Sequence, residues 1–349
     1  MTTDRLRHAF IDQALSCEAL GSPFTGRVLR LVADRLTPDT AVGARLIGWP
    51  GDITSRGDSV PLRLAGTLHA LARSGKSPAL AKAYPPNLPT DETLWAAIND
   101  ALHQHETFMQ ERLHSAPQTN EVRRSAALLP AFLTLASRFS LPLILSEVGA
   151  SAGLNLQWDC YAYQLGTFQW GGSSPVLLAP DWDGPVPPDV EISVAERAGC
   201  DLNPLDPSNS QDRERLFSYI WADQTDRLQR AEAALNLAVD NGLSVERTDA
   251  IDWLKLRLAV PRPGTLHVIY HTVAWQYFPE TLKAKGEALI AEAGARATAE
   301  APLARLQMEA DDIRDGASLT LQIWPGGEIQ EIGRADFHGR WIKWRGWKA

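Results

Sequence analysis

Glu147, Gly149, Ser151 and Gly153 alternate with Val148, Ala150 and Ala152 just after the apolar run Leu143-Ile144-Leu145 and Ser146. The run reads as a buried strand, and the small residues after it lack the bulk that would keep a ligand from the backbone. A helix start is expected next. At the carboxyl end of a parallel strand, backbone N–H groups and a helix dipole converge where open α/β sheets bind ligands. Two chemistries share this outline. Glu147-x-Gly149-x-Ser151-x-Gly153 matches the first motif of nucleotide-cofactor folds, while Gly149-x-Ser151-x-Gly153 alone spells the nucleophile elbow of α/β-hydrolases.

The elements that must position this turn fall into two parts, 1–140 and 141–349. The first 140 residues read as successive helices, at Asp4–Leu15, Pro23–Leu36, Pro61–Ala72, Thr90–Leu113 and Glu121–Phe139, the last interrupted by Pro130. From Leu141 the pattern becomes alternating β and α. Strands are expected at Val190–Val194, Leu243–Thr248 and Thr265–Tyr270, with helices at Gln211–Asn241, Ile251–Leu258 and Pro279–Ala293. Four strands without intervening helices follow, Leu303–Met308, Leu319–Trp324, Ile329–Asp336 and Trp341–Trp344. Turn signals at Pro325-Gly326-Gly327 and His338-Gly339 make this end antiparallel. Residues 157–188, rich in Trp, Gly and Pro, read as an insertion forming a hairpin over the turn.

Composition narrows the function classes. The 349 residues carry 34 Lys plus Arg against 42 Asp plus Glu, a formal net charge of -8, which argues against the nucleic-acid backbone as main partner. Cys17, Cys160 and Cys200 are far apart and form no CxxC pair, as suits a reducing cytoplasm. No signal-peptide core and no membrane-span-length apolar run is present, so a soluble cytoplasmic protein is expected. No metal site is expected either. His267 and His271 would be roughly 13 Å apart along a strand, and His103 and His105 face different directions on a helix.

Position in the chain chooses between the two readings of the turn. A hydrolase elbow follows several strands, whereas this strand follows only helices, and no oxyanion segment of HGG type lies upstream. A triad of Ser151, Asp249 and His338 can still be drawn, which keeps a serine hydrolase as the alternative. A non-catalytic cofactor-binding or interaction protein is the other. A first strand of a Rossmann-like sheet explains why β/α alternation begins here and ends in antiparallel strands.

Glu147-Val-Gly-Ala-Ser-Ala-Gly-Leu-Asn155, Pro117-Gln-Thr-Asn-Glu-Val-Arg-Arg124, Gly199-Cys-Asp-Leu-Asn-Pro-Leu-Asp206, His271-Thr-Val-Ala-Trp-Gln-Tyr277 and the terminal His338-Gly339 before Trp344 occur in fixed order. Together they closely resemble a bacterial domain-of-unknown-function family, family 2332, over nearly the whole chain. That family is grouped with Rossmann-like S-adenosylmethionine-dependent methyltransferases. The resemblance implies a methyltransferase-type sheet, mostly parallel with antiparallel C-terminal strands, plus an all-helical N-terminal domain. It implies methyl transfer from S-adenosylmethionine to a small molecule, and a cofactor turn made of Glu147, Gly149, Ala150, Ser151 and Gly153, with Asn155 beside it. Ser151 departs from the usual glycine at the middle position.

Asp201, after the second strand, would accept the ribose hydroxyls, with Asp206 as rival. Asp249-Ala250 would lie at the adenine, although Asp249 also reads as a helix cap. His271, ending the fourth strand, is the expected general base, with Trp275 and Tyr277 offering flat faces to substrate or sulfonium. The segment leading to the first strand adds Asn120 and Arg123 as substrate contacts, and Glu121 and Arg124 as catalytic candidates. An arginine there suits a carboxylate or phosphate.

Overall fold

The computed structural model describes residues 2–313 and 315–348. The described residues open with α1 (Thr2–Ala19), α2 (Pro23–Arg35), α3 (Ala41–Ile47), α4 (Val60–Arg73), α5 (Pro78–Ala83), α6 (Asp91–Gln104) and α7 (Glu106–Leu113). Helix α8 (Arg124–Phe139) leads into β1 (Leu143–Val148), followed by β2 (Ala162–Leu165), β3 (Phe168–Trp170), β4 (Leu177–Leu178), β5 (Asp181–Asp183) and β6 (Val194–Asp201). Next come α9 (Ser210–Tyr219), α10 (Thr225–Asp240), β7 (Glu246–Arg247), α11 (Ala250–Arg257), β8 (Leu266–Thr272) and α12 (Glu280–Ala295). Strands β9 (Leu303–Glu309), β10 (Ala317–Trp324), β11 (Glu328–Ala335) and β12 (Trp341–Trp344) complete it.

Two compact units result, Met1–Thr119 with Ser210–Gln229, and Asn120–Asn209 with Arg230–Ala349. Helix α8 therefore falls in the second unit, and α9 in the first. The first unit is helical, with Phe10, Leu29, Leu46, Leu64, Leu68 and Ile98 in its core. Side-chain oxygens of Ser22, Thr40, Ser77 and Thr90 accept from amides of the first turn of α2, α3, α5 and α6, which fixes where these helices start. The single helix expected over Thr90–Leu113 is two, because His105 leaves helical geometry and serves as the end of α6 and the start of α7.

The second unit holds a nine-stranded sheet in the order β5-β12-β11-β10-β9-β8-β1-β6-β7. Strands β7, β6, β1, β8 and β9 are parallel neighbours, and β9 to β12 form an antiparallel meander. Every residue of β1 and β8 is buried, as the continuous apolar runs require of strands covered on both faces. One face packs on α11 and α12 through Val148, Ile269, Trp253 and Ile290. Toward the other, Phe132 of α8 stacks on Trp158 and meets Tyr270 edge-on. The mixed α/β architecture, helical N-terminal region and mostly parallel sheet match the expectation.

Three local expectations are corrected. The second strand is Val194–Asp201, not Val190–Val194; Glu196 and Arg197 masked its signature, and ion pairs to Arg262 and Asp159 accommodate them. The helix expected over Gln211–Asn241 is two, α9 and α10. The insertion does form a hairpin, β2 with β3, but as part of a separate three-stranded sheet with β4, while β5 pairs with β12 at the edge of the large sheet. No described helix is long and apolar enough to cross a membrane.

Candidate functional site at the carboxyl ends of β1, β6 and β8

Gly149, Ser151 and Gly153 have φ of +70°, +54° and +73°. Left-handed residues at every second position cannot propagate a helix, and none forms: residues 149–161 make turns and one 3-10 turn, Trp158–Cys160. The helix dipole expected at this turn is absent, and Asn155 is not in a helix. The segment is nonetheless buried, so its carbonyls need partners. Side chains supply them, two from nearby and two from distant parts of the chain. The hydroxyls of Tyr161, Tyr163 and Tyr270 donate to the carbonyls of Leu154, Trp158 and Asn155 at 2.5, 2.6 and 3.1 Å, and Arg197 donates to Leu156 at 2.9 Å.

The amides of the turn are engaged as well. Gly149 and Ala150 donate to the Cys200 carbonyl at 2.9 and 3.0 Å, Ser151 to Asp201 Oδ2 at 2.9 Å, and Leu154 to Asn120 Oδ1 at 2.8 Å. The faces of the glycines are also occupied by protein. A Cβ on Gly149 would lie 2.6 Å from the Ala274 Cβ, and one on Gly153 3.0 Å from Leu243 and Val245. What the turn leaves open is a set of buried side-chain atoms without a hydrogen-bond partner: Glu147 Oε2, Ser151 Oγ and Asn155 Nδ2. Asn155 Oδ1 accepts from Ser125 Oγ at 2.7 Å.

Asp201 ends β6 beside β1, accepting from the amides of Ser151 and Asn203, whereas its rival Asp206 is exposed and closes its own turn onto Ser208. Burial first, and then the neighbouring Asp201 charge, push the Glu147 carboxyl well above the usual range, against the pull of Arg124. Asp249 caps α11 through the amides of Ile251 and Asp252, with Ala250 buried as the first helical residue.

Asn120 does not cap the helix it precedes. Residues 121–126 turn through bonds three residues apart, α8 starts at Arg124 instead of Glu121, and Asn120 is freed to reach Leu154. Buried Arg124 donates to the carbonyls of Thr272 at 3.1 Å and Phe337 at 3.0 Å, joining the end of β8 to the β11–β12 turn. That turn also packs on Arg123, whose carbonyl would lie 2.7 Å from a Cβ on Gly339. Glu121 is buried, and its Oε1 accepts from the Arg123 amide.

His271 departs most from expectation. Side chains alternate along a strand, so it shares the face of Ile269, toward α12, and is wholly buried. Nδ1 is 2.6 Å from Glu309 Oε1, and Arg305 donates to Nε2 at 3.2–3.3 Å. A guanidinium only donates, so Nε2 carries the lone pair and Nδ1 the proton. Burial holds this imidazole below its ordinary pKa and so neutral, although the bond to Glu309 opposes the shift. With both nitrogens engaged, the ring has no lone pair for a substrate proton. Trp275 is buried, stacked between His271 and Phe278 with Arg305 above it, whereas Tyr277 is 64% exposed.

The hydrolase triad is not assembled. Ser151 Oγ has no hydrogen-bond partner, Asp249 is a cap, and the His338 amide bonds Asp336. Among the described residues no group of three metal-ligating side chains occurs.

Residues 7–344 match a bacterial family, DUF2332, described as an uncharacterized protein conserved in bacteria. The chain belongs to that family. No curated protein and no solved structure matches it. In this family member, sequence reasoning missed the Glu309–His271–Arg305 array and Val273, which at φ +52° is a left-handed β-branched residue one position past β8. Arg305 and Glu309, two charges in an otherwise largely apolar strand, were the available signal. It also missed buried Ser146, bonded to His267 at 2.8 Å and to Arg257 at 3.1 Å.

Proposed function

We propose that this protein is an S-adenosylmethionine-dependent methyltransferase acting on a small molecule, with the cofactor at the carboxyl ends of β1, β6 and β8. The observation that carries the reading is the parallel order. Numbered along the chain, β7-β6-β1-β8-β9 is 3-2-1-4-5, the order of dinucleotide-type sheets, and ligands of such sheets bind where the order reverses, beside strand one. There the strained residues Ser151 and Val273 follow β1 and β8, and Glu147 and Ser151 carry buried side-chain atoms without a hydrogen-bond partner.

The residues present fit such a cofactor through side chains, since the amides of Gly149, Ala150, Ser151, Gly153 and Leu154 are engaged. Asp201 retains lone pairs for ribose hydroxyls, and Glu147 Oε2, Ser151 Oγ and Asn155 Nδ2 are buried polar atoms that a polar ligand would satisfy. The cofactor would supply an electrophilic methyl group. This chain's part is alignment, with Arg124 holding the end of β8 and the β11–β12 turn at fixed spacing. His271 positions Trp275 and the β8 terminus and takes no substrate proton.

Its closure favours one second reading, a cofactor-binding protein that performs no transfer. Calorimetry with S-adenosylmethionine and S-adenosylhomocysteine tests the proposal. Binding of either, weakened about tenfold in Asp201→Asn by loss of charge-assisted hydrogen bonds, is expected. Absence of binding by both sinks it, and binding without methyl transfer to any acceptor leaves the second reading.

A further inference from the structure

The first unit gathers three arginines around one tyrosine. Arg63 of α4 donates to the carbonyls of Leu113 and His114 at 3.1 and 2.9 Å, and the Tyr219 hydroxyl donates to the next carbonyl, Ser115, at 3.2 Å. Arg112 of α7 donates to Ser218 Oγ at 2.8 Å, and Ser218 in turn donates to the Arg215 carbonyl at 2.6 Å. Arg112 and Arg63 thus reach the end of α7, the Arg215 guanidinium is close enough to act electrostatically on Arg112, and all three arginines act on the Tyr219 phenol.

Their charges are poorly neutralised. Among the described residues no carboxylate lies within ion-pair distance of Arg112 or Arg215, and Arg215 Nε is buried without a hydrogen-bond partner. The nearby Glu214 is committed to Arg73 through two bonds, and Asp58 is 3.9 Å from Arg63 and bonded to Trp49. Guanidinium groups brought together without acids repel each other and match an oxyanion that presents several acceptors at once.

We propose that Arg112 and Arg215 form a binding site for the phosphate group of a small molecule, Arg63 acting behind them as a positioning residue. Each arginine supplies a forked donor. A doubly charged phosphate supplies the missing counter-charge. The site stands independently of the cofactor reading, since every residue in it belongs to the first unit.

Thermal melts of the full chain in inorganic phosphate, against sodium chloride of equal ionic strength, test the site. Phosphate is expected to raise Tm saturably. Arg112→Gln and Arg215→Gln should each weaken the response about tenfold or more, the worth of a hydrogen bond to a charged group. Without phosphate, Arg215→Gln should melt no lower than the parent, because a repelling charge is gone. If the variants do not fold, phosphorus NMR line broadening of phosphate by the unaltered chain decides in their place. No rise in Tm and no broadening, or variants that respond as the parent does, would overturn the proposal.

Discussion

Two largely buried carboxylates end neighbouring parts of the sheet and are pushed in opposite directions. Glu147, at the end of β1, has an oxygen without a donor, and burial, with Asp201 nearby, pushes its carboxyl well above the usual range. Glu309, at the end of β9, receives His271 and the amides of Ala274, Trp275 and Gln276. Burial opposes its ionisation too, but these donors outweigh it and hold the carboxyl below the usual range. Burial is common to both, so the number of donors decides the charge. The turn after β8 is organised by one ionised group the chain provides for itself; the turn after β1 draws on many separate partners, tyrosines, an arginine, an aspartate and a backbone carbonyl.

Removing Glu309 should have the largest effect. Glu309→Ala strands the His271 N–H and three amides, and is expected to cost about 3–5 kcal/mol in urea unfolding, the range for breaking a buried charged array. A loss under about 1 kcal/mol would show that the turn does not depend on this carboxylate. Gly149→Ala comes next. It forces a left-handed alanine and brings its Cβ against Ala274, for about 2–3 kcal/mol. Because Ala274 belongs to the other turn, Gly149→Ala with Ala274→Gly should recover the steric part and leave the backbone part; no recovery would mean that the two turns do not press on each other.

The smallest effect separates the two carboxylates by pH. Glu147 binds its proton more tightly folded than unfolded, so it contributes nothing below the unfolded carboxylate's pKa and lowers stability progressively as pH rises toward its folded value. Glu147→Gln should therefore gain on the parent by about 1 kcal/mol one pH unit above the unfolded range, where a full unit is worth about 1.4 kcal/mol. Equal pH profiles of Tm for the two chains would contradict a protonated Glu147.

What could be read from sequence follows the range of the forces involved. Strand β1 and the antiparallel end were legible because apolar runs and Gly-rich turns act locally. Asp201 was legible as an acid near a strand end even though the strand itself was placed too early, its Glu196 and Arg197 having partners far along the chain. Asn120 and Arg124 were expected at the site and do reach Leu154 and Thr272. His271 was read as available because its captors, Arg305 and Glu309, lie on the next strand, 34 and 38 residues away. The missing helix after β1 was illegible for the same reason. Small residues signal a turn, but the Tyr270 hydroxyl and the Arg197 guanidinium that take up two of its carbonyls lie on β8 and β6, far along the chain.

That substitution has a kinetic consequence. A helix after β1 could begin to form from its own residues alone, whereas here the Asn155 carbonyl waits for a hydroxyl 115 residues downstream. That bond can form only after β8 has paired, late in folding, and is lost when β8 opens. The loop nearest the proposed cofactor is therefore coupled to the cooperative opening of the whole sheet, and a ligand that tightened it would be resisting global unfolding, not the fraying of a surface turn.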